Sequence, residues 1–259
     1  AATRRRCHSP GAGRAAVMSM KEFNALDGAL LIDKTAGPTS HDIVDTVRQC
    51  YRINKVGHCG TLDPAATGLL VLLLGRATKL SEKLMADDKV YVGSIKLGET
   101  TNTFDAEGET GEAKPVPDLT LETLQEAANA FLGDQMQLPP MVSAIKIDGT
   151  PLHKLARKGL EVERRERFVH LYKFLITEYE PPYAWFKVAC TKGTYVRSLA
   201  HDLGQALGCG AHLAGLRRTI SGRFKVSAAT RLEELPALSP DDLAKRVVPM
   251  LQLSTAAEP

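Results

Sequence analysis

Residues 69–74 read LLVLLL, six apolar side chains without a break. A membrane helix needs roughly 18 uninterrupted apolar residues, and no stretch of this chain approaches that. Six is the length of a strand, and the run is read as one buried in a core. It follows GHCGTLDPAATG (57–68), in which a single carboxylate, Asp63, sits in a glycine-bounded loop beside Pro64. An Asp-Pro pair after glycines is a turn signal, because the aspartate caps its own backbone and proline fixes φ. Two readings of Asp63 therefore stand, a turn residue and a working carboxylate. The rest of the chain has to separate them.

At 259 residues the prior is one large domain or two small ones. A hydrophobic share of 44% and a charged share of 24% are those of an ordinary globular protein. The formal net charge of +3 neither demands nor excludes nucleic acid, so the distribution of charge matters more than its sum. Cys7, Cys50, Cys59, Cys190 and Cys209 form no CxxC pair and are odd in number, which is the pattern of reduced thiols. The histidines show neither HxH nor HExxH spacing, and no metal site is expected.

The segment AATRRRCHSPGAGRAAVMSM carries four arginines and no acid. It reads as a disordered tail (residues 1–26), as sequence upstream of a start at Met18 or Met20, or as an organellar targeting remnant. An amphipathic pattern is missing. The expected location is cytoplasmic, or organellar if the segment is such a remnant.

Beyond the tail the elements mix without a βαβ rhythm. GALLID (28–33) reads as a short buried strand, and Thr39-Ser-His-Asp42 has capping-box spacing. The helix that this box opens has Ile43, Val44, Val47 and Tyr51 on one stripe. A short helix through Leu80 and Leu84 follows the apolar strand. KVYVGSIKL (89–97) alternates, with Tyr91, Ile95 and Leu97 on one side, and is a strand. GETTNTFDAEGETGEAK (98–114) is polar and glycine-rich, hence an exposed loop. Residues 121–132 form a helix stopped by Gly133, and QLPPMVS (137–143) is extended. Residues 168–178 and 184–190 are strands joined through Pro181-Pro182. Val196, Leu199, Ala200, Leu203 and Leu207 mark an amphipathic helix that ends at Gly208. The fold class is α+β.

Four stretches are richer in special residues than a core requires: the Asp63 loop, KVYVGSIKLGETTNTFDAEG, QLPPMVSAIKIDGTPLHKLARKG, and CTKGTYVRSLAHDLGQALGCGAHLAGLRR. With GALLIDKTAGPTSHDIV near the start, they resemble the ordered motifs of the TruB family of tRNA pseudouridine synthases. The resemblance runs from about Asp27 to Pro249. It implies a pseudouridine synthase fold, a largely antiparallel central sheet flanked by helices, with residues 137–167 as an insertion that clasps RNA. It implies a catalytic domain over 27–250 and a frayed tail over 251–259.

The implied activity is isomerisation of a uridine to pseudouridine in the T-loop of tRNA, at position 55. The base is cut from the sugar, turned, and rejoined through carbon, so no cofactor or cosubstrate is expected. The implied partner is the tRNA T-stem loop, with no membrane, and a monomer is expected.

On this resemblance Asp63 is the catalytic carboxylate, acting covalently. A shielded nucleophilic carboxylate needs a cation to stay ionised, and the resemblance pairs Arg197 with it. Taken on residues alone, Arg197 is either that cation or a solvated first-turn arginine. Tyr91 is either a core tyrosine or, as the family implies, the ring that stacks on the target base. Tyr195 carries the same pair of readings, as a lining residue of the pocket. Lys34 is a turn lysine or a support for the catalytic loop and the RNA backbone. His58 is a surface residue or a contact where the uridine leaves its stack, which base flipping requires. Lys154 and Arg157, with Lys158, form one basic cluster for phosphates; Arg164, Arg165 and Arg167 form another, and Arg217, Arg218, Arg223 and Lys225 a third.

The sequence departs from the pattern at Cys59, where a threonine is common, and at His153, where a tyrosine is. It stops soon after Val247-Val-Pro-Met250, so the additional C-terminal RNA-binding domain of many members is expected to be absent. Two other functions stay open: an RNA chaperone that opens the tRNA elbow without chemistry, and the protein subunit of a guide-RNA particle. Against the chaperone, only an enzyme needs Asp63, Arg197 and Tyr91 together; the guide-RNA relatives carry an additional C-terminal domain, whose expected absence argues for a stand-alone enzyme.

Overall fold

A computed structural model describes residues 26–143, 146–147, 150–152 and 162–254. Lys154, Arg157 and His153, and the basic segment before Leu26, lie outside the described residues. The chain divides into two compact units, residues 1–86 with 220–259, and residues 87–219. The sequence reading has one continuous domain over 27–250; the structure has the chain leave the first unit and return to it.

The first unit opens with β1 (Gly28–Lys34), then α1 (Ser40–Tyr51), β2 (Val56–His58) and β3 (Thr67–Leu74). The capping box is present: Thr39 Oγ1 accepts from the Asp42 amide at 3.1 Å, and Asp42 Oδ2 accepts from the Thr39 amide at 2.8 Å. Such a cap contributes about 1 kcal/mol. β1 and β3 run antiparallel with Leu31 opposite Val71, and β2 pairs with the other edge of β3. Every residue from Leu69 to Leu74 is buried, as the unbroken apolar run requires. Leu69, Val71 and Leu73 share one cluster with Ala29, Leu31 and Cys59. A 3₁₀ turn over Gly75–Leu80 and α2 (Ser81–Met85) close this stretch.

The second unit contains β4 (Lys89–Leu97), β5 (Glu99–Thr101), β6 (Thr110–Ala113), α3 (Leu121–Asn129) and β7 (Gly133–Gln137). There follow a small hairpin of β8 (Lys146–Ile147) and β9 (Thr150–Pro151), then β10 (Arg167–Glu180), β11 (Tyr183–Cys190), α4 (Val196–Ala206) and β12 (Ala211–Ser221). The sheet order is β12-β4-β11-β10-β7, with the last three pairings antiparallel. One face is covered by helices: Leu124 and Ala128 of α3 and Leu199, Ala200 and Leu203 of α4 join Ile95, Val169, Phe186 and Val188 in one core. Burying a side chain of leucine or phenylalanine size is worth about 1.5–3 kcal/mol, so this layer fixes where α4 lies. The architecture is mixed α/β with mostly antiparallel strands, the expected class.

The chain returns through β13 (Phe224–Lys225), which folds back on Ile220 and Ser221, then β14 (Thr230–Arg231), parallel to β1. α5 (Pro240–Arg246), β15 (Val247–Pro249) and α6 (Met250–Ser254) complete the described residues, with β15 antiparallel to β1. Three sequence expectations change here. Residues 251–254 are not frayed, because Leu253 is buried among Ala29, Leu69 and Phe224. The stretch 98–114 is not simply exposed loop, because β5 and β6 form a hairpin and Thr101 is buried. Arg218 belongs to no phosphate-facing surface, since β12 turns it inward and buries it.

Candidate active site

In the first unit the chemistry centres on the loop between β2 and β3. Gly60 has φ +90°, a left-handed value that a glycine adopts without strain. The loop is then pinned from one side by the neighbouring elements. Ser40, the first residue of α1, exchanges two hydrogen bonds with Leu62: its Oγ donates to the carbonyl at 3.1 Å and accepts from the amide at 2.9 Å. The Gly37 amide donates to the Pro64 carbonyl at 2.9 Å. Lys34, at the end of β1, is 0% exposed, and its ammonium donates to the carbonyls of Pro64 at 2.8 Å, Ala66 at 2.6 Å and Thr35 at 3.1 Å. The Ala66 amide closes a turn on the Asp63 carbonyl at 3.1 Å.

Asp63 is partly buried at the centre of this frame. A buried lysine charge is costly unless paired or hydrogen-bonded, and here the carbonyl dipoles of Thr35 and of two residues just after Asp63 answer it. Lys34 is thus bonded to the loop that carries Asp63, and its side chain has no exposed surface. His58 ends β2 opposite Leu72, and the next amide, Cys59, bonds the Val71 carbonyl at 2.9 Å. His58 is thereby carried at the entry of the same loop.

In the second unit Tyr91 stands on β4 opposite Val188 and packs, partly buried, against the core that holds Ile95 and Leu97. The alternation read from the sequence is the one observed. Tyr195 is the N-cap of α4, with no side-chain cap. Its amide donates to Gln137 Oε1 at 2.7 Å, and Gln137 Nε2 donates back to the Tyr195 carbonyl at 3.1 Å. Ser198 Oγ donates to the Leu138 carbonyl at 3.0 Å. The first turn of α4 is therefore stitched to the end of β7 and the segment after it. Arg164 continues that stitching from β10's side, donating to the Pro139 carbonyl at 2.9 Å.

Arg197 is 4% exposed, which removes the reading of a solvated first-turn arginine. Its Nη1 lies 3.3 Å from Asp105 Oδ2 and donates to the Thr103 carbonyl at 3.2 Å, while Nη2 donates to the Val142 carbonyl at 2.8 Å. Three acceptors meet on one guanidinium: a carboxylate and two carbonyls fix its plane. Asp105 is the functional residue that sequence reasoning missed. Its Oδ1 accepts from Thr103 Oγ1 at 2.5 Å and the Glu107 amide at 3.1 Å, so the carboxylate is held from both sides. The available signal was the TxTxD spacing within a stretch already singled out. Among the described residues, no cluster of histidine, cysteine and carboxylate side chains is arranged to hold a metal ion.

Asp63, Lys34 and His58 belong to the first unit, and Tyr91, Tyr195 and Arg197 to the second. Within the units the structure joins Lys34 to the Asp63 loop, and Arg197 to Asp105. Each unit holds its own preorganised group: a carboxylate on a rigid loop in the first, a fixed cation in the second.

Comparison with known proteins bears on what these parts serve. A family model described as TruB family pseudouridylate synthase (N terminal domain) matches residues 48–196. A second, described as tRNA pseudouridylate synthase B C-terminal domain, matches residues 197–253, from α4 to α6. The tRNA pseudouridine synthase B of Opitutus terrae is 51% identical over 227 residues, covering 88% of this chain and 94% of that protein. Its counterpart in Syntrophotalea carbinolica is 44% identical over 217 residues, covering 84% and 71%. Among solved structures, a chain of a Cbf5-Nop10-Gar1 complex superposes with a TM-score of 0.69 at 30% identity, covering 88% of this chain. A chain of an H/ACA RNP bound to a substrate RNA containing 2'-deoxyuridine superposes with 0.66 at 27% identity, covering 90%. This chain spans 62% of the length of each of those two. The chain is a pseudouridine synthase of the TruB family.

Proposed function

We propose that the chain converts a uridine to pseudouridine in the T-loop of tRNA, at position 55, as a stand-alone enzyme that uses Asp63 as its catalytic carboxylate. The observation that carries this reading is the buttressing of the Asp63 loop by a wholly buried lysine on Pro64 and Ala66. A turn residue needs no such frame; a nucleophile that must meet a sugar carbon within a few tenths of an ångström does.

The reaction is balanced within the nucleotide. The N1–C1′ bond breaks, a C5–C1′ bond forms, and the proton lost from C5 is matched by one gained at N1. No electrons enter or leave. Asp63 holds the sugar side while the uracil turns. Arg197, anchored by Asp105, is the cation assigned to the catalytic carboxylate, since arginine stays charged and can grip a carboxylate through two donors. Tyr91 offers a ring to the flipped base, and Tyr195 lines the pocket. His58 sits at the loop entry, where the extruded nucleotide leaves its stack. The segment from Gln137 to Arg167 clasps the T-stem loop, with Lys154 and Arg157 as phosphate contacts.

Stand-alone action is supported by the identity ranking. Proteins named tRNA pseudouridine synthase B are 44–51% identical to this chain, against 27–30% for the chains from the Cbf5-Nop10-Gar1 complex and the H/ACA RNP. The test is a transcribed T-arm stem-loop incubated with the purified chain alone and mapped for pseudouridine. Product confined to the uridine at position 55 is expected. Product only when a guide RNA is added, or at a different uridine, overturns the assignment.

A further inference from the structure

Phe104 has φ +64°, a left-handed backbone conformation that bulky side chains rarely adopt. Holding such a residue there strains the backbone, and strain of this kind persists only where the surroundings over-determine it. The surroundings do so here. The Phe104 carbonyl accepts from the Leu213 amide at 3.0 Å, its own amide donates to the Thr101 carbonyl at 3.2 Å, and the Ala106 amide donates to the Leu213 carbonyl at 3.0 Å. Thr101 Oγ1 donates to the Asp105 carbonyl at 2.7 Å.

What the turn achieves is visible in the partners. Successive side chains on an extended backbone point to opposite sides. Phe104 and Asp105 are successive, yet both reach α4. The Phe104 ring lies on the His201 ring, with centroids 3.9 Å apart and planes 20° from parallel, while Asp105 meets Arg197. Arg197 and His201 are four residues apart on α4, hence on one face. Two neighbours on the loop thus dock on two neighbours on the helix, and the left-handed residue is what lets both side chains do so. His201 Nδ1 is buried with no hydrogen-bond partner among the described residues, so no such bond to that nitrogen positions the ring.

We propose that Phe104 and His201 form a positioning pair, a ring stack that holds Asp105 on Arg197 and so fixes the orientation of the guanidinium. The pair touches no reacting atom; it acts through Asp105. The inference rests on the pseudouridine synthase reading of Arg197 given above.

The test measures kcat and KM for T-arm pseudouridine formation, with the melting temperature of each variant. Phe104→Gly removes the ring and relieves the backbone strain, so the fold is kept. Its kcat should fall about tenfold or more while KM changes less than about twofold, as for a misplaced catalytic group. Phe104→Tyr, which keeps a ring, should retain most of the wild-type kcat. His201→Ala removes the stack from the helix side, where alanine favours the helix. It should lower kcat similarly, and the double variant should be no slower than the slower single, since both act through one contact.

A wild-type kcat in Phe104→Gly overturns the proposal, as does a double variant whose losses multiply. Losses of kcat that track melting temperature across all variants overturn it too, by showing a purely structural role. A wild-type chain that forms no pseudouridine overturns the function itself and the pair with it.

Discussion

Lys34 and Ala66 are joined by a 2.6 Å hydrogen bond from a fully buried ammonium to a backbone carbonyl, and that bond ties β1 to the loop that carries Asp63. The same nitrogen serves Pro64 and Thr35, so one side chain sets the loop's height above the sheet.

Lys34→Met should therefore damage both catalysis and stability. The Ala66 carbonyl loses its lysine donor, while the Pro64 carbonyl keeps the Gly37 amide, and leaving a buried polar group unsatisfied costs about 1–3 kcal/mol. The loop then shifts, and a displacement of about 1 Å at a catalytic group costs on the order of 10²-fold in rate. Urea unfolding and kcat on the T-arm substrate check the two effects separately. A variant with normal kcat contradicts the supporting role.

Arg197 and Asp105 form the corresponding anchor in the second unit. Asp105→Ala leaves a buried guanidinium without its carboxylate, which typically costs about 3–5 kcal/mol. Asp105→Asn keeps hydrogen-bonding capacity and should lose less stability, while kcat falls in both. Equilibrium unfolding of the two variants beside wild type orders them; equal stability of Asp105→Ala and wild type contradicts the anchor.

The acid limb of stability should carry a contribution from His201. Burial holds its imidazole below the ordinary value of 6.5. The unfolded chain then binds the proton more readily than the folded one, so this contribution is full above pH 6.5 and is lost as pH falls below it. His201→Phe keeps a ring against Phe104 and removes the titration. Melting temperature measured from pH 8 to pH 5 should fall less steeply in the variant. A steeper or unchanged slope contradicts the assignment.

Cys190 should be unreactive. Its thiol is buried under the β4–β11 pairing, and desolvation pushes its pKa up to about 11. The thiolate is the reactive form, so alkylation of Cys190 near neutral pH should require unfolding. Labelling followed by peptide mapping, in native buffer and in denaturant, distinguishes the two states.

Much of the fold was legible because its signals are local. The Thr39–Asp42 box, the alternation of β4 and the stripe of α4 are each written within a dozen residues, and each element appears where it was read. β12 was not legible. Gly215 interrupts its pattern, and Arg217-Arg218 reads as surface charge, although Arg218 is buried. The helix of residues 250–254 was missed because Leu253 earns its burial from β1 and β3, far away in the chain.

The site divides the same way. Asp63, Arg197 and Tyr91 stood out through the family's motifs, and the framing of Lys34 on the loop agrees with the supporting role read for it. Asp105 did not stand out, because a carboxylate in a glycine-rich polar stretch is indistinguishable from a solvated one until its partner is known. That partner, Arg197, arrives only after six further strands, β6 to β11, have been laid down. Gln137 was hidden likewise: its clamp on Tyr195 depends on the β7–β10 pairing, which no local pattern announces.

The central claim is that Asp63 is the carboxylate that does the chemistry. The most direct measurement compares pseudouridine formation in a T-arm stem-loop by the wild-type chain and by Asp63→Asn, with RNA binding followed in parallel. Asparagine keeps the shape of the side chain and removes its charge and nucleophilicity. The account predicts product from the wild type, a rate lower by roughly 10⁴-fold or more in the variant, and RNA binding retained by both. Product formed at comparable rates by both chains would contradict it.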